Sequence, residues 1–381
     1  MSKIDDLIQE FCPDGVEYKP IKKLAEVGTG SSNGNEAQED GKYPFFIRSQ
    51  TVKRKNEWEY DEEAIIIPGE GGIGEIYHYV NGKYAIHQRV YRIHFTDNSV
   101  DVKFAYHYFR AFFKNFIMRK AVSATVKSIR KPMIEEFMLP VPPLEVQREI
   151  VHILDSFTLL TAELTAELTA RKKQYEFYRN KLLTFDNNVK IVPLADIADI
   201  GTGSSNTNEG LEEGKYPFYV RSQEPLRKNE YEYDETAIIT AGDGVGVGKV
   251  FHYVEGKYAL HQRAYRIHIN TPDVLPRYYF HYMRSAFLSY IQKTMFQGSV
   301  ASIRRPMLNQ FPVPVPTLDV QKRLVNVLDN FEAICTDLNI GLPAEIEARQ
   351  KQYEYYRDLL LTFAETGSTL MTDRQTDRQR R

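Results

Sequence analysis

Apolar positions along this 381-residue chain follow two rhythms, and both rhythms occur twice. Short β-branched and aromatic runs at 42–47, 64–68, 74–80 and 84–94, punctuated by Gly and Asn, predict strands. Asn81-Gly82 predicts a hairpin turn between two of them. Residues 102–119 then read as an aromatic amphipathic helix.

The pattern changes beyond a proline-rich joint at 140–143, which ends any strand and stiffens the connection. Residues 146–185 contain no Gly or Pro and place apolar side chains at Ile150, Ile153, Phe157, Leu160, Leu164, Leu168, Tyr175, Tyr178, Leu182 and Phe185. Spacings of three and four over about 36 residues predict a helix roughly 54 Å long with a coiled-coil-like seam. After a second joint at 312–316, Leu324, Val327, Phe331, Ile334, Leu338, Leu342, Ile346, Tyr353, Tyr356, Leu360 and Phe363 repeat that seam. The predicted layout is globule, long helix, globule, long helix, and a compact chain requires the two helices to run back along each other.

The chain is one unit written twice. Gly28-Thr-Gly-Ser-Ser-Asn33 recurs at 201–206, and residues 78–94 match 252–268 at 14 of 17 positions. Ser128-Ile-Arg-Lys-Pro132 returns as Ser302-Ile-Arg-Arg-Pro306, and Pro140-Val-Pro-Pro-Leu-Glu-Val-Gln147 as Pro314-Val-Pro-Thr-Leu-Asp-Val-Gln321. The offset is 173 early, 174 after the second glycine loop, and 178 where 171–179 matches 349–357. A period this long is a duplicated domain with its linker rather than a solenoid repeat.

The first helix contains Thr161-Ala-Glu-Leu164 followed directly by Thr165-Ala-Glu-Leu168. The second copy has one more tetrad, Asn339-Ile-Gly-Leu342, and Gly341 with Pro343 predicts a kink there. Each tetrad lengthens a helix by about 6 Å.

Net charge is −2, with 49 Lys and Arg against 51 Asp and Glu, so the chain is no polycation, although a local basic groove fits that balance. Cys12 and Cys335 cannot form a disulfide framework, and no Cys-x-x-Cys pair suggests zinc. No apolar run approaches the roughly 20 residues that span a bilayer, and the charged first ten residues do not resemble a signal peptide, so a cytoplasmic protein is expected. The 25 tyrosines are expected to fill sheets and helix seams.

Catalytic signatures do not assemble. Gly69-Glu-Gly-Gly-Ile-Gly74 has the spacing of a dinucleotide loop but no following helix pattern, and its copy at 242–248 loses the last glycine to Val247. Gly248-Lys249 lacks a P-loop, and His-Glu-x-x-His, Gly-x-Ser-x-Gly and Asn-Pro-Pro-aromatic segments are absent. No metal ligand set is expected at His87 or His261.

Nucleic-acid chemistry is better represented. Candidate contacts are Arg48, Ser49 and Gln50 with the basic loop Lys53, Arg54 and Lys55; His87, Gln88 and Arg89, read as lying on a strand; and Lys127, Ser128, Arg130 and Lys131 before a proline. Their second-copy counterparts are Arg221, Ser222 and Gln223; Arg227 and Lys228; His261, Gln262 and Arg263; Gln297 and Ser299; and Ser302, Arg304 and Arg305. Arg reads guanine bidentately, Gln reads adenine, and Ser, Lys and backbone amides hold phosphates. The competing role for these arginines is pairing with surface carboxylates. The copies differ most at 120–127 against 294–301 and in the glycine loops 68–77 and 241–251, where two related half-sites would be distinguished.

These motifs together resemble the specificity (S) subunit of type I restriction–modification systems. The carriers are the two Pro-x-Pro-Pro/Thr-Leu-Glu/Asp-Val-Gln junctions, the long helix after each, the Thr-Ala-Glu-Leu tetrads and the helix ends at 171–179 and 349–357, and the likeness covers about residues 1–366. It implies an α+β protein with two pseudo-symmetric, β-rich target recognition domains separated by two long antiparallel coiled-coil-like helices. It divides the chain into an N-terminal helical segment 1–17, a first recognition domain 18–142, a central conserved spacer helix 143–189, a second recognition domain 190–316, a distal spacer helix 317–366 and a disordered tail 367–381. The implied function is non-catalytic recognition of a bipartite, near-palindromic site in double-stranded DNA, with two modification (methyltransferase) subunits and restriction subunits as partners. S-adenosylmethionine, ATP and Mg²⁺ would then belong to those partners. The readings left open are the recognition half of a split restriction–methylation enzyme and a duplicated ligand- or peptide-binding scaffold.

Overall fold

A computed structural model of the chain describes residues 3–120, 128–186, 188–294 and 302–366. The candidates Lys127, Gln297 and Ser299 lie outside them, as do most of the divergent segments 120–127 and 294–301 and the tail 367–381.

The contacts divide the chain into two units that cut across the sequential domain order: Met1–Glu163 with the chain from Ile346 onward, and Leu164–Glu345. The 39-residue helix Leu144–Leu182 gives its first half to one unit and its second half to the other.

In the first unit six strands form a sheet in the order Ala25–Thr29, Val90–Phe95, Tyr60–Pro68, His78–Ile86, Tyr43–Phe46, Lys53–Lys55. Every pairing is antiparallel except that of Tyr43–Phe46 with His78–Ile86. Tyr60–Pro68 ends in five consecutive buried residues, as a central strand covered on both faces should. Against this sheet lies the helical stretch Val102–Tyr108, Phe109–Phe113 (one π turn) and Lys114–Lys120. Phe137 receives the rings of Phe109, Phe113 and Phe116 at 4.9, 5.1 and 5.1 Å, and each buried ring stabilises the fold by roughly 1.5–3 kcal/mol. The second unit repeats the sheet in the order Ala198–Thr202, Ala264–Ile269, Tyr233–Ala241, Phe251–Leu260, Tyr216–Tyr219, Leu226–Lys228, with Pro276–Thr294 as its helix. Phe287, Tyr290 and Tyr282 surround Phe311 there, so aromatic residues do pack the seam between helix and sheet.

Several expected elements are corrected. Asn81-Gly82 is no hairpin: both lie inside the strand His78–Ile86, paired with Glu63 and Glu62, because the long partner Tyr60–Pro68 holds the chain extended through Gly82 at φ 112°. Residues 74–77 form a loop rather than strand, since Gly71, Gly72 and Gly74 all take positive φ. The run 84–94 is two strands, and His87-Gln88-Arg89 is the turn between them.

The second spacer is broken rather than kinked, into Leu318–Thr336 and Leu342–Thr366. Asp337 caps the break by accepting the N–H of Asn339 at 2.7 Å and of Ile340 at 3.2 Å, and Pro343 sits in the next first turn, where its missing N–H costs nothing. Leu338 therefore falls in the connection and is 70 % exposed instead of in a seam. Val327, Ile334 and Leu182 are also exposed, and Leu183 is the buried residue at the end of the first helix.

The remaining seam residues divide between the two units. Ile150, Tyr353 and Leu360 are buried in the first core with Phe157 packed against it, and Tyr175 is buried in the second core with Leu168, Leu324 and Phe331 against it. Leu164 and Ile346 are half-buried. Among the described residues no helix is long and apolar enough to cross a membrane, and Cys12 and Cys335 are free buried thiols.

Candidate nucleic-acid interface

Five segments of the first copy meet in space. The second glycine of Gly28-Thr-Gly-Ser-Ser-Asn33 lets this loop cross the strand end, since a Cβ on Gly30 would lie 1.9 Å from the Ile86 carbonyl oxygen. Ser32 then accepts the N–H of Gln88 on its carbonyl oxygen at 2.9 Å, and the Gln88 side chain donates to Asn33 Oδ1 at 2.8 Å. A capping box with Glu36 fixes Asn33.

The glycine loop approaches from the other side. Gly69 donates its N–H to the Arg89 carbonyl at 2.9 Å and accepts from Ile129 at 2.7 Å, which pins the Ser128–Arg130 segment as well. Glu70, the next residue, is thereby placed between two arginines: Arg48 Nη1 lies 2.6 Å and Arg89 Nη1 2.5 Å from its Oε1. The second copy builds the same cluster with an aspartate. Asp243 meets Arg221 at 2.6 Å and Arg263 at 3.1 Å, Gln262 donates to Asn206, and Ile303 donates to the Gly242 carbonyl at 2.8 Å. A cleft of about 250 Å³ opens there, lined by Asp243, Gln262, Arg263 and Ser302 among others.

Electrostatics set the protonation states. The hydrogen bond from Arg89, with the charges of Arg89 and Arg48, holds the Glu70 carboxyl below its ordinary range. Burial alone would raise Asp243, but the Arg221 and Arg263 guanidiniums hold it low. His87 and His261 are pushed down by burial first and by the neighbouring arginines second, so they are neutral at pH 7. Their Nδ1 atoms accept the N–H of Arg89 and Arg263 at 3.0 and 2.9 Å, which leaves the ring proton on Nε2. Each site therefore presents two guanidiniums, an amide and an imidazole N–H.

A family model described as type I restriction modification DNA specificity domain matches residues 13–171 and again 186–348. The chain belongs to this family. A Haemophilus influenzae relative named as a type I restriction enzyme specificity subunit is 28% identical over 380 residues, covering 92% of this chain and 96% of its own. The EcoR124I/EcoR124II type I restriction enzyme specificity subunit of Escherichia coli is 38% identical over 249 residues, 59% of this chain and 61% of that one. In fold, the S subunit of the type I restriction–modification system of M. genitalium superposes with a TM-score of 0.58 at 17% identity, over 92% of this chain and 96% of that one.

Within the two specificity domains the predicted residues separate by role. Arg48, Gln88 and Arg89, like Gln262 and Arg263, are exposed at the cluster, and Arg221 is half-buried. His87 and His261 form the buried floor. Ser49 and Ser222 use their hydroxyl protons locally, donating to the carbonyls of Thr51 and Glu224 two residues on. Arg54 and Arg227 tie their own hairpins to the carbonyls of Gly41 and Lys42, and of Gly214 and Lys215. Lys55 and Lys228 are largely buried against Ser32 and Glu36, and Ser205 and Glu209. Arg305 donates to the Ile200 carbonyl, whereas Ser128, Arg130, Lys131, Ser302 and Arg304 stay exposed beside the cluster, and Gln50, Lys53 and Gln223 are exposed elsewhere.

Sequence reasoning missed Glu70, Asp243, Asn33 and Asn206. The repeated Gly-acid pair after the central strand (69–70 and 242–243) was the available signal. One group among the described residues has metal-ligand character, His281 with Asp329 and Glu332. Arg277 already bridges Asp329 at 2.8 Å and Glu332 at 3.0 Å, so guanidinium charge stands where a cation would.

Proposed function

We propose that this chain is the DNA-reading specificity subunit of a type I restriction–modification complex, each copy reading one half of a bipartite, near-palindromic site. The supporting observation is the duplicated cluster: two Arg and a Gln above a buried neutral His stand in the same arrangement in both copies, tied by side-chain bonds to Glu70 or Asp243 and to Asn33 or Asn206 on frames of backbone hydrogen bonds. Groups so placed can donate to base edges and phosphates. The subunit itself is non-catalytic in this reading. The long helices set the separation of the half-sites and dock two modification subunits, which restriction subunits join, and S-adenosylmethionine, ATP and Mg²⁺ belong to those partners.

The test is methylome mapping of the host with and without this chain. The expected outcome is loss of one split motif on deletion and its return on complementation. An unchanged methylome sinks the reading. In vitro, binding of the assembled complex to that motif should weaken steeply with salt, because each neutralised phosphate releases counterions.

A further inference from the structure

We infer that Glu70 and Asp243 are positioning residues that aim Arg48 with Arg89, and Arg221 with Arg263, at guanine, so that both halves of the target carry a G·C pair at corresponding positions. This rests on the reading of the chain as a DNA-recognition subunit.

The acids lie beneath the guanidiniums. Side-chain exposure is 29% for Glu70 and 21% for Asp243, against 58% for Arg89 and 62% for Arg263. All four arginines bond the carboxylate through Nη1. Among the described residues no hydrogen bond engages the Nε–Nη2 edge of any of them, so two parallel donors remain on each fork. Guanine N7 and O6 are the paired acceptors in the major groove that such an edge matches. A carboxylate alone would accept from cytosine N4, but here two guanidiniums already occupy it.

The carboxylate also holds two long side chains in one arrangement before DNA arrives, which removes part of the ordering cost of binding. Its own place is fixed by the backbone. A Cβ on Gly242 would sit 2.7 Å from the Arg263 carbonyl oxygen, so the loop can lie this close to the turn only through glycine. The local net charge is +1 at each site, which favours DNA.

The experiment replaces the chain in its host with variants and maps methylated motifs. The wild type is expected to yield a motif whose halves share a G·C pair at corresponding positions. Glu70→Gln should relax that pair in the first-copy half at least ten-fold and leave the other half unchanged, Asp243→Asn should do the converse, and Glu70→Asp should preserve discrimination. Arg89→Lys, which keeps charge but loses the fork, should relax the same pair and serves should Glu70→Gln fold poorly. A motif without the shared pair overturns the inference, as does an equal loss over all sequences, which marks a phosphate contact, or no change. A methylome indifferent to deletion of the chain overturns the DNA-reading function itself, and this inference with it.

Discussion

The Tyr353 hydroxyl lies 3.4 Å from Nδ1 of His107, although 246 residues separate them in the chain. The other imidazole nitrogen of His107, Nε2, donates to Asp155 at 3.0 Å, so a helix of the first sheet domain and halves of both long helices meet at one buried ring. The second unit repeats the arrangement with Tyr175, His281 and Asp329, at 3.5 and 2.7 Å. Each copy is thus completed by a tyrosine from the other copy's helix.

Removing residues from 342 onward should therefore loosen the first unit although the cut is made after the second. Hydrogen exchange is expected to rise at 102–120 and 144–157 and stay unchanged at 276–294. Tyr353→Phe, which strips the buried Nδ1 of its donor, should cost about 1–3 kcal/mol in the same region. Equal loosening of both helical segments would contradict the arrangement.

Gln147 is fully buried and satisfied on both ends: its Oε1 accepts the Asp101 N–H at 2.8 Å, and its Nε2 donates to the carbonyls of Ser99 and Pro142 at 2.7 and 2.6 Å. Gln321 does the same for Leu275, Asp273 and Pro316. Gln147→Leu fills the space but orphans buried backbone groups, so a loss of about 3 kcal/mol is expected in thermal unfolding. A change under 1 kcal/mol would show that these glutamines do not clamp domain to helix.

Stability should fall below neutral pH. Burial, acting against the Asp155 and Asp329 hydrogen bonds, lowers His107 and His281 below the ordinary 6.5. Above that value both folded and unfolded chains are neutral there and the stabilisation is complete. As pH drops below it the unfolded chain binds protons that the folded chain refuses, so stability is lost. Melting from pH 8 to 5.5 should show a falling Tm, by about 2–4 °C for each kcal/mol lost. The double substitution His107→Gln with His281→Gln should flatten that slope.

The tetrads make a geometric prediction. One extra Thr-Ala-Glu-Leu after Leu168 adds about 6 Å of helix. The gap between half-sites should widen by one or two base pairs, stacked at about 3.4 Å, while the half-sites stay the same. A fixed gap with an altered half-site, read from the methylated motif, would refute the spacer role.

Local chemistry made much of this protein legible beforehand. The duplication, the long helix of 144–182 and the end of a strand at Arg48 are written in near-neighbour patterns, because periodicity and turn residues act over a few positions, whereas the turn at Arg89 was read as strand. Asn81-Gly82 failed for the same reason: a local turn preference yielded to a long partner strand that sequence spacing does not reveal. Leu338 failed because a capped break, not the apolar period, decides where a seam stops. The tertiary structure alone decided that Glu70 would gather two arginines from segments 41 residues apart, and that Tyr353 would complete the fold of the first copy. Both depend on distances through space, set by sheet register and helix packing, and a side chain's partners there are unrelated to its neighbours along the chain.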